Sequence, residues 1–176
     1  GLVYRGERIV NYCTKCGTAY SQLEVDYVER DDKLYYLDYG SVTISTTRPE
    51  TIFADVAVAV NPKDKKYTKL VGSNIKSFAI IPLINRKIPI ISDNLVDMSL
   101  GTGALKITPA HDPTDFEIGQ THKLLILSVI DENGRMTGTP AKYIGMKAIT
   151  AREEVVKDLI AANKLVETVP VHHTIG

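Results

Sequence analysis

The chain contains 176 residues, with 21 Lys plus Arg against 21 Asp plus Glu, so its formal net charge is zero. This neutral balance argues against broad binding of duplex nucleic acid, which needs a net basic surface, but it is compatible with contact to a few phosphates. No apolar run approaches the length of a membrane span, and no secretory leader pattern opens the chain. Because the chain starts at Gly1 without Met, we expect an excised domain of a larger protein.

Residues 1–23 are interpreted as a connecting arm, and residues 24–176 as a single domain. Alternating apolar and polar residues predict that strands dominate the first half of this domain. Asp31-Asp32 indicates a hairpin turn between two of these strands, and the polar segment 63–71 indicates a short helix. The strands are expected at 24–29, 34–39, 41–47, 56–60 and 104–108, and on both sides of residues 85–86 within 78–91.

The second half contains the clearest helix signals. Asp112 followed by Pro113 is typical of a helix start and predicts a helix over 114–122. Thr150 with Glu153 forms a capping-box pattern before a second helix, over 151–164. Strands are expected at 125–130 and 167–171. Many short strands without a βαβ rhythm predict a mainly β fold, with a closed or nearly closed β-barrel core and peripheral α-helices.

Cys13 and Cys16 stand in Cys-Thr-Lys-Cys-Gly, the pattern of one zinc knuckle. Tetrahedral zinc needs four ligands, and the adjacent His172 and His173 are poorly placed to converge on one ion. We therefore expect no metal held by this chain alone, and zinc at the cysteine pair only with ligands outside the chain. A thioredoxin-type redox role is disfavoured because no strand–turn–helix pattern surrounds the pair.

The first polar cluster is the run Thr46-Thr47-Arg48-Pro49-Glu50-Thr51. Hydroxyl groups donate and accept hydrogen bonds, so they suit the ribose and carbonyl oxygens of a polar substrate. The guanidinium of Arg48 offers a planar fork for a phosphate or a carboxylate. The alternative is a hydrophilic turn at the end of a strand, with no ligand.

The second polar cluster spans a strand-to-helix turn and contains Lys106, Thr108, His111, Asp112 and Asp115. A period of two places the first two side chains on one face of the strand. Both aspartates favour the start of a helix, yet capping needs only one of them, and a carboxylate here can hold a substrate ammonium group. The histidine is interpreted either as a substrate contact or as a structural hydrogen-bonding group.

Together the two clusters resemble the signatures of the editing (CP1) domain of class I aminoacyl-tRNA synthetases. The run 46–62 resembles the threonine-rich region, and the run 101–119 resembles the second signature. Among the three sister branches the similarity is closest to the valyl-tRNA synthetases, because of Arg-Pro-Glu-Thr at 48–51, Asp55, and Lys-Ile-Thr-Pro-Ala-His-Asp at 106–112. The resemblance covers nearly the whole chain.

The resemblance implies hydrolysis, by direct water attack, of the ester in mischarged Thr-tRNA(Val), without a cofactor. The implied partners are the 3′-terminal adenosine of that tRNA and the rest of a cytoplasmic parent synthetase, with no membrane. Catalytic roles are implied for Asp112, Asp115 and Thr47. Substrate contacts are implied for these three and for Thr46, Arg48 and Thr51 near the adenosine and its ester, and for Lys106, Thr108 and His111 near the amino acid.

This implication agrees with simple physical chemistry. A pocket sized for valine rejects threonine, its near-isostere, by only about 100-fold, so a second hydrolytic site is needed. The sequence shows no Ser or Cys nucleophile with an evident base, which favours direct attack by water. The alternatives are the editing domain of an isoleucyl- or leucyl-tRNA synthetase, and a non-catalytic module that binds the tRNA end or a zinc knuckle.

Overall fold

Short strands make up most of the regular structure in the computed structural model, which describes residues 2, 3, 6, 8–72 and 75–175. The two α-helices are α1 (Pro113–Thr121) and α2 (Ala148–Ala161), and short 3₁₀ helices occur at Gln22–Glu24 and Pro49–Ala54. The strands are β1 (Asn11–Cys13), β2 (Thr18–Tyr20), β3 (Val28–Asp38), β4 (Thr43–Thr46), β5 (Ala57–Val60), β6 (Val71–Gly72), β7 (Ile75–Lys76), β8 (Phe78–Ile81), β9 (Arg86–Ser92), β10 (Ala104–Ile107) and β11 (Leu165–Ile175).

Two sheets carry the core. One has the strand order β10-β5-β9-β8 and the other β11-β3-β4, while β1-β2 and β6-β7 form two small ribbons. The pair β5 and β9 is parallel, and the remaining pairs are antiparallel. Apolar side chains from both sheets and from α2 pack together, among them Leu37, Ile44, Val58, Ile81 and Leu159, all fully buried.

The mainly β character with few helices is confirmed, whereas closure into a barrel is not. The described residues form two separately hydrogen-bonded sheets. The Ile80 amide donates to the Tyr39 carbonyl over 2.9 Å, so β8 approaches the end of β3. The two strands are nevertheless not paired in one sheet. The barrel therefore stays a prediction.

The hairpin turn expected at Asp31-Asp32 is wrong. Residues 28–38 form one continuous strand, which pairs with β11 along its length. His172, directly opposite Asp31, places its Nδ1 at 2.8 Å from that carboxylate. A cross-strand partner 141 residues away in sequence therefore outweighs the local turn signal.

The helix expected at 63–71 is also wrong, because residues 63–70 form successive turns and residue 71 begins β6. The side chains of Asn61 and Asp64 accept from the backbone amides of Lys63 and Lys66, each over 3.0 Å. Such local side-chain bonds compete with helix formation.

Three expectations in the second half need correction. Thr150 does not cap α2, since this helix begins at Ala148 after Lys147. The Ala148 amide donates to the Gly134 carbonyl over 3.0 Å, so a tertiary contact supports the earlier start. Residues 125–130 form no strand, apart from one isolated bridge between Ile130 and Met136. The final strand exists, but it is longer than 167–171.

The elements that frame the site were predicted correctly. The strands around residues 85–86 appear as β8 and β9, and β10 and α1 lie within one residue of their expected bounds. Asp112 is the N-cap of α1, and Pro113 is its first residue. No helix in the described part of the chain is both long enough and apolar enough to cross a bilayer.

Candidate active site

A cavity of about 560 Å³ lies between the end of β4, strand β10, the start of α1 and the loop 95–103. Eight of the nine predicted site residues line it, and the ninth, Thr108, does not. The eight are Thr46, Thr47, Arg48, Thr51, Lys106, His111, Asp112 and Asp115. Both polar clusters of the sequence therefore meet in one space.

The threonine-rich turn forms one wall of this cavity. Strand β4 ends at Thr46, whose Oγ1 accepts from the Arg48 amide over 3.0 Å. Pro49 then opens the 3₁₀ helix, and the Thr51 hydroxyl donates to the Arg48 carbonyl over 2.9 Å. The Arg48 Nη1 group donates to the His111 carbonyl over 3.0 Å, which joins the two walls.

The two aspartates of the second cluster have different environments. Asp112 is exposed, and its Oδ1 accepts from the amides of Thr114 and Asp115 over 2.8 and 3.0 Å, so it acts as the helix cap. Asp115 is only 4% exposed, and its Oδ2 accepts from the Thr108 amide over 2.8 Å. Burial raises the pKa of Asp115 to about 7, against the opposing attraction of Lys106.

Lys106 belongs to a buried polar network. Its Nζ lies 3.4 Å from Oδ1 of Asp55 and also donates to the Thr108 hydroxyl. That hydroxyl in turn donates to Asp55 over 2.8 Å, and the Tyr39 hydroxyl donates to the other carboxylate oxygen over 2.7 Å. Asp55 is fully buried, and this burial raises its pKa although Lys106 pulls it down. The network holds the ammonium group of Lys106 at the cavity wall.

Thr108 is fully buried on the far side of Lys106. The expected same-face placement of Lys106 and Thr108 is confirmed by their hydrogen bond. The position of Thr108, however, lets it orient the lysine rather than face the cavity. Its direct contact with a substrate stays a prediction that this geometry does not favour.

His111 lies in the cavity wall as a neutral hydrogen-bond acceptor. Its Nε2 accepts from the Val129 amide over 3.0 Å, which fixes the irregular segment 125–130 to the site. Burial, with the nearby charges of Arg48 and Lys106, lowers the pKa of His111 to about 4. This arrangement favours the structural interpretation of the histidine over a role as a base.

Sequence reasoning missed the third wall, which comes from the loop 95–103. Gly101 lies so close to β4 that a Cβ there would be 1.9 Å from the Ser45 hydroxyl oxygen. Asp97 and Leu100 also line this wall. Only residues 101–103 of the loop belong to the run that resembles the second signature, and residues 95–100 show no pattern that indicates ligand binding.

Cys13 and Cys16 lie apart from the cavity, at the turn between β1 and β2. The Cys16 amide donates to Cys13 Sγ over 3.3 Å, and both thiols are free. His172 instead contacts Asp31 and Glu29. Within the described ranges, no group of three or more His, Cys, Asp or Glu side chains is arranged to hold a metal ion.

Comparisons with known proteins agree with this arrangement. Residues 62–158 match the family model described as leucyl-tRNA synthetase, editing domain. The valine–tRNA ligases of Carboxydothermus hydrogenoformans and Fervidobacterium nodosum are 46% and 47% identical over 182 residues, covering 100% of this chain and 20% of each relative. The chain thus spans about a fifth of the length of these curated relatives.

A solved structure shows the same fold. It is the ternary complex of an Agrobacterium radiobacter K84 leucyl-tRNA synthetase with tRNA and LeuAMS, with a TM-score of 0.54 and 19% identity over 84% of this chain and 20% of that chain. All these matches lie among the aminoacyl-tRNA synthetases. The chain belongs to the family of their editing domains. The two relatives named above, which match it along its entire length, are valine–tRNA ligases.

Proposed function

We propose that this chain removes threonine from mischarged Thr-tRNA(Val) as the editing domain of a valyl-tRNA synthetase. The observation that carries the proposal is a cavity in which a buried carboxylate, Asp115, lies beside a buried ammonium group, Lys106. These two groups complement the α-ammonium group and the side-chain hydroxyl of threonine.

The amino acid side of the cavity supplies the selectivity. In this proposal Asp115 accepts hydrogen bonds from the α-ammonium group, whose positive charge stabilises the ionised carboxylate. Lys106 donates to the threonine hydroxyl, and Asp112 is a further polar neighbour at the helix start. Valine has no hydroxyl and leaves this polar wall unpaired, which costs binding free energy.

The nucleotide side is assigned to the threonine-rich turn. Thr46, Thr47 and Thr51 offer hydroxyl groups for the terminal ribose and the ester, and Arg48 offers its fork to the nucleotide phosphate. The compact cavity suits this small part of a tRNA.

The hydrolytic step needs only an oriented water molecule. Water adds to the ester carbonyl carbon, the bond from that carbon to the ribose oxygen breaks, the ribose oxygen takes a proton, and free threonine leaves. Because an aminoacyl ester is already reactive, positioning and polar stabilisation of the oxyanion suffice. Thr47, Asp112 and Asp115 surround the proposed place of the water, whereas the ring nitrogen of His111 is already occupied by the Val129 amide.

In this proposal the N-terminal arm and its two cysteines belong to the connection with the parent enzyme. Residues 1–23 connect this domain to the synthetase body in the cytoplasm. Cys13 and Cys16 present two thiols from a tight turn, which suits half of a zinc site whose other ligands lie outside this chain. Zinc there would stabilise the arm and take no part in the hydrolysis.

Deacylation of Thr-, Val- and Ile-tRNA(Val) by this chain tests the proposal. We expect the threonyl ester to be hydrolysed fastest. Asp115→Ala should lower kcat/KM for that ester by about 10- to 100-fold, and Lys106→Ala should lower the threonyl-to-valyl rate ratio by about tenfold. Lys157→Ala, on the exposed face of α2, is the matched control and should change neither value.

Two results would count against the assignment. An Asp115→Ala variant as active as the parent removes the ammonium anchor. Preference for the valyl or isoleucyl ester over the threonyl ester supports the alternative editing specificities, and binding of the tRNA end without hydrolysis of any ester supports the non-catalytic module.

A further inference from the structure

Glu50 is a buried acidic residue inside the threonine-rich turn. Its carboxylate is 1% exposed, although it lies next to residues that line the cavity. A carboxylate buried to this degree is costly unless it is paired and hydrogen-bonded. The identity of its partners therefore decides how the turn is held.

The main partner comes from the other half of the chain. Arg152 of α2 donates from Nε to Oε2 of Glu50 and from Nη2 to Oε1, each over 2.9 Å. This two-bond fork fixes both the position and the plane of the carboxylate. The Nη1 atom of Arg152 lies 3.6 Å from Asp32 of β3, so the guanidinium is itself held from behind.

The same carboxylate also lies near Arg48, a residue that lines the cavity. The Nε atom of Arg48 lies 3.7 Å from Oε1 of Glu50, and the Arg48 side chain is 44% exposed at the cavity. One carboxylate therefore lies between two guanidinium groups, closer to Arg152 than to Arg48. Because Arg152 binds both oxygens in a fork, that end of the Glu50 carboxylate is not open to a second fork from Arg48.

We propose that Arg152 is a positioning residue for substrate binding: by holding Glu50, it prevents this carboxylate from drawing the Arg48 guanidinium away from the cavity. This inference rests on the proposed function, in which Arg48 contacts the nucleotide side of the aminoacylated tRNA end. Loss of the fork lets Glu50 turn toward Arg48 and withdraw it from the ligand. Arg152 itself never touches the substrate.

Arg152→Lys tests this role, since lysine keeps the charge but cannot make the fork. We expect KM for Thr-tRNA(Val) to rise about five- to tenfold while kcat stays within twofold, the pattern of lost uniform binding. Lys142→Gln is the matched control: it removes a different ion pair to α2, at Asp158, and should leave KM unchanged.

A double-mutant cycle with Arg48→Ala separates positioning from general support of the fold. In the Arg48→Ala background, Arg152→Lys should change KM by less than twofold, because the group it positions is gone. Equal KM effects in both backgrounds, or a loss of kcat that follows the loss of thermal stability, would overturn the proposal.

Glu50→Gln/Arg152→Gln provides a second variant, in which neither buried charge is left alone. Because no carboxylate remains at position 50 to draw Arg48 away, we expect this variant to fold and to keep KM within twofold of the parent. A KM raised as much as in Arg152→Lys would contradict the positioning role.

Binding measurements keep this inference distinct from the proposed hydrolysis. The probe is a non-hydrolysable 3′-threonylamino-adenosine 5′-phosphate, titrated by calorimetry. If the parent binds the probe but hydrolyses no ester, the proposed function fails while a five- to tenfold weaker Kd of Arg152→Lys still supports positioning. An unchanged Kd in Arg152→Lys overturns the positioning role whatever the hydrolysis result.

Discussion

At the scale of single residues, position on a helix start does not determine what an acid does. Asp112 and Asp115 stand three residues apart at the start of α1, yet the first uses its carboxylate to cap the helix in solvent. The second is buried with a raised pKa, so its ionised form has a cost in stability. Such an arrangement is typical of functional sites, where groups are held in unfavourable surroundings.

Asp115→Asn is therefore expected to stabilise the protein while it weakens hydrolysis. The folded pKa of Asp115 is about 7, above the ordinary value of 3.8, so between these pH values the folded state binds more protons than the unfolded state. The penalty thus grows as pH rises and is complete above pH 7. We expect the variant to be more stable by about 2–4 kcal/mol at pH 8, and by little at pH 4, in urea unfolding.

His111→Gln is the matched comparison, and its gain in stability should depend on pH in the opposite direction. The folded pKa of His111 is about 4, below the ordinary 6.5, so its contribution is lost as pH falls through that window. Glutamine can still accept from the Val129 amide without gaining a proton. Its stability relative to the parent should rise toward acid pH, whereas that of Asp115→Asn should rise toward alkaline pH. Parallel pH trends in the two variants would contradict both assignments.

At the scale of elements, the loop 95–103 and strand β4 approach each other at one glycine. Gly101 has φ of +53°, and a Cβ there would lie 1.9 Å from Ser45 Oγ and 3.0 Å from Ser45 Cβ. Gly145 has φ of +80° but no neighbour within 4 Å of such an atom. The two glycines therefore share the backbone strain of an alanine substitution and differ in the steric clash.

Gly101→Ala should cost more stability than Gly145→Ala. Both substitutions pay about 1–2 kcal/mol for the left-handed backbone, and Gly101→Ala adds about 1–3 kcal/mol of crowding against Ser45. Chemical denaturation of each variant measures the difference. Ser45→Ala/Gly101→Ala should recover part of the excess, since it removes the nearest atom; equal losses at the two glycines would show that the walls do not meet as described.

The elements also show what sequence can and cannot predict. Asp112-Pro113 specified the start of α1 because capping is local. The turn at Asp31-Asp32 was wrong because β11 supplies strand partners that local pattern does not reveal. Likewise, the sequence brought Lys106 and Thr108 to one face, but the Asp55 carboxylate between them and Tyr39 depends on how distant elements pack.

At the scale of the whole molecule, neutrality and nucleic-acid binding are compatible. The chain has 21 basic and 21 acidic residues, so the proposed binding of a tRNA end would rely on local charge. Two cationic side chains line the cavity, Arg48 and Lys106, and the second is already engaged by Asp55. Arg48, which uses Nη1 for the His111 carbonyl but has a side chain 44% exposed, is thus the more accessible of these two to a phosphate.

Because few cationic side chains line the cavity, we expect the affinity for the tRNA end to depend only weakly on salt concentration. Each neutralised phosphate contributes about −0.7 to −0.9 to the slope of log affinity against log salt, so one or two contacts predict a slope of about −1 to −2. The measurement is 1/KM of this chain for Thr-tRNA(Val) across a potassium chloride series. Threonyl-adenosine, which has no phosphate, is the control and should give a nearly flat line.

A steeper result would locate a surface that the cavity does not include. A slope of −4 or below requires several more phosphate contacts. The exposed lysines of the turn segment 61–70 are candidates for such contacts, since Lys66 donates to the carbonyl of Thr102 over 2.7 Å, next to the cavity wall at Gly101 and Gly103. Replacing Lys63, Lys65 and Lys69 by Gln should then reduce the slope by about 2, whereas with the shallow slope expected here the same replacement should leave KM unchanged.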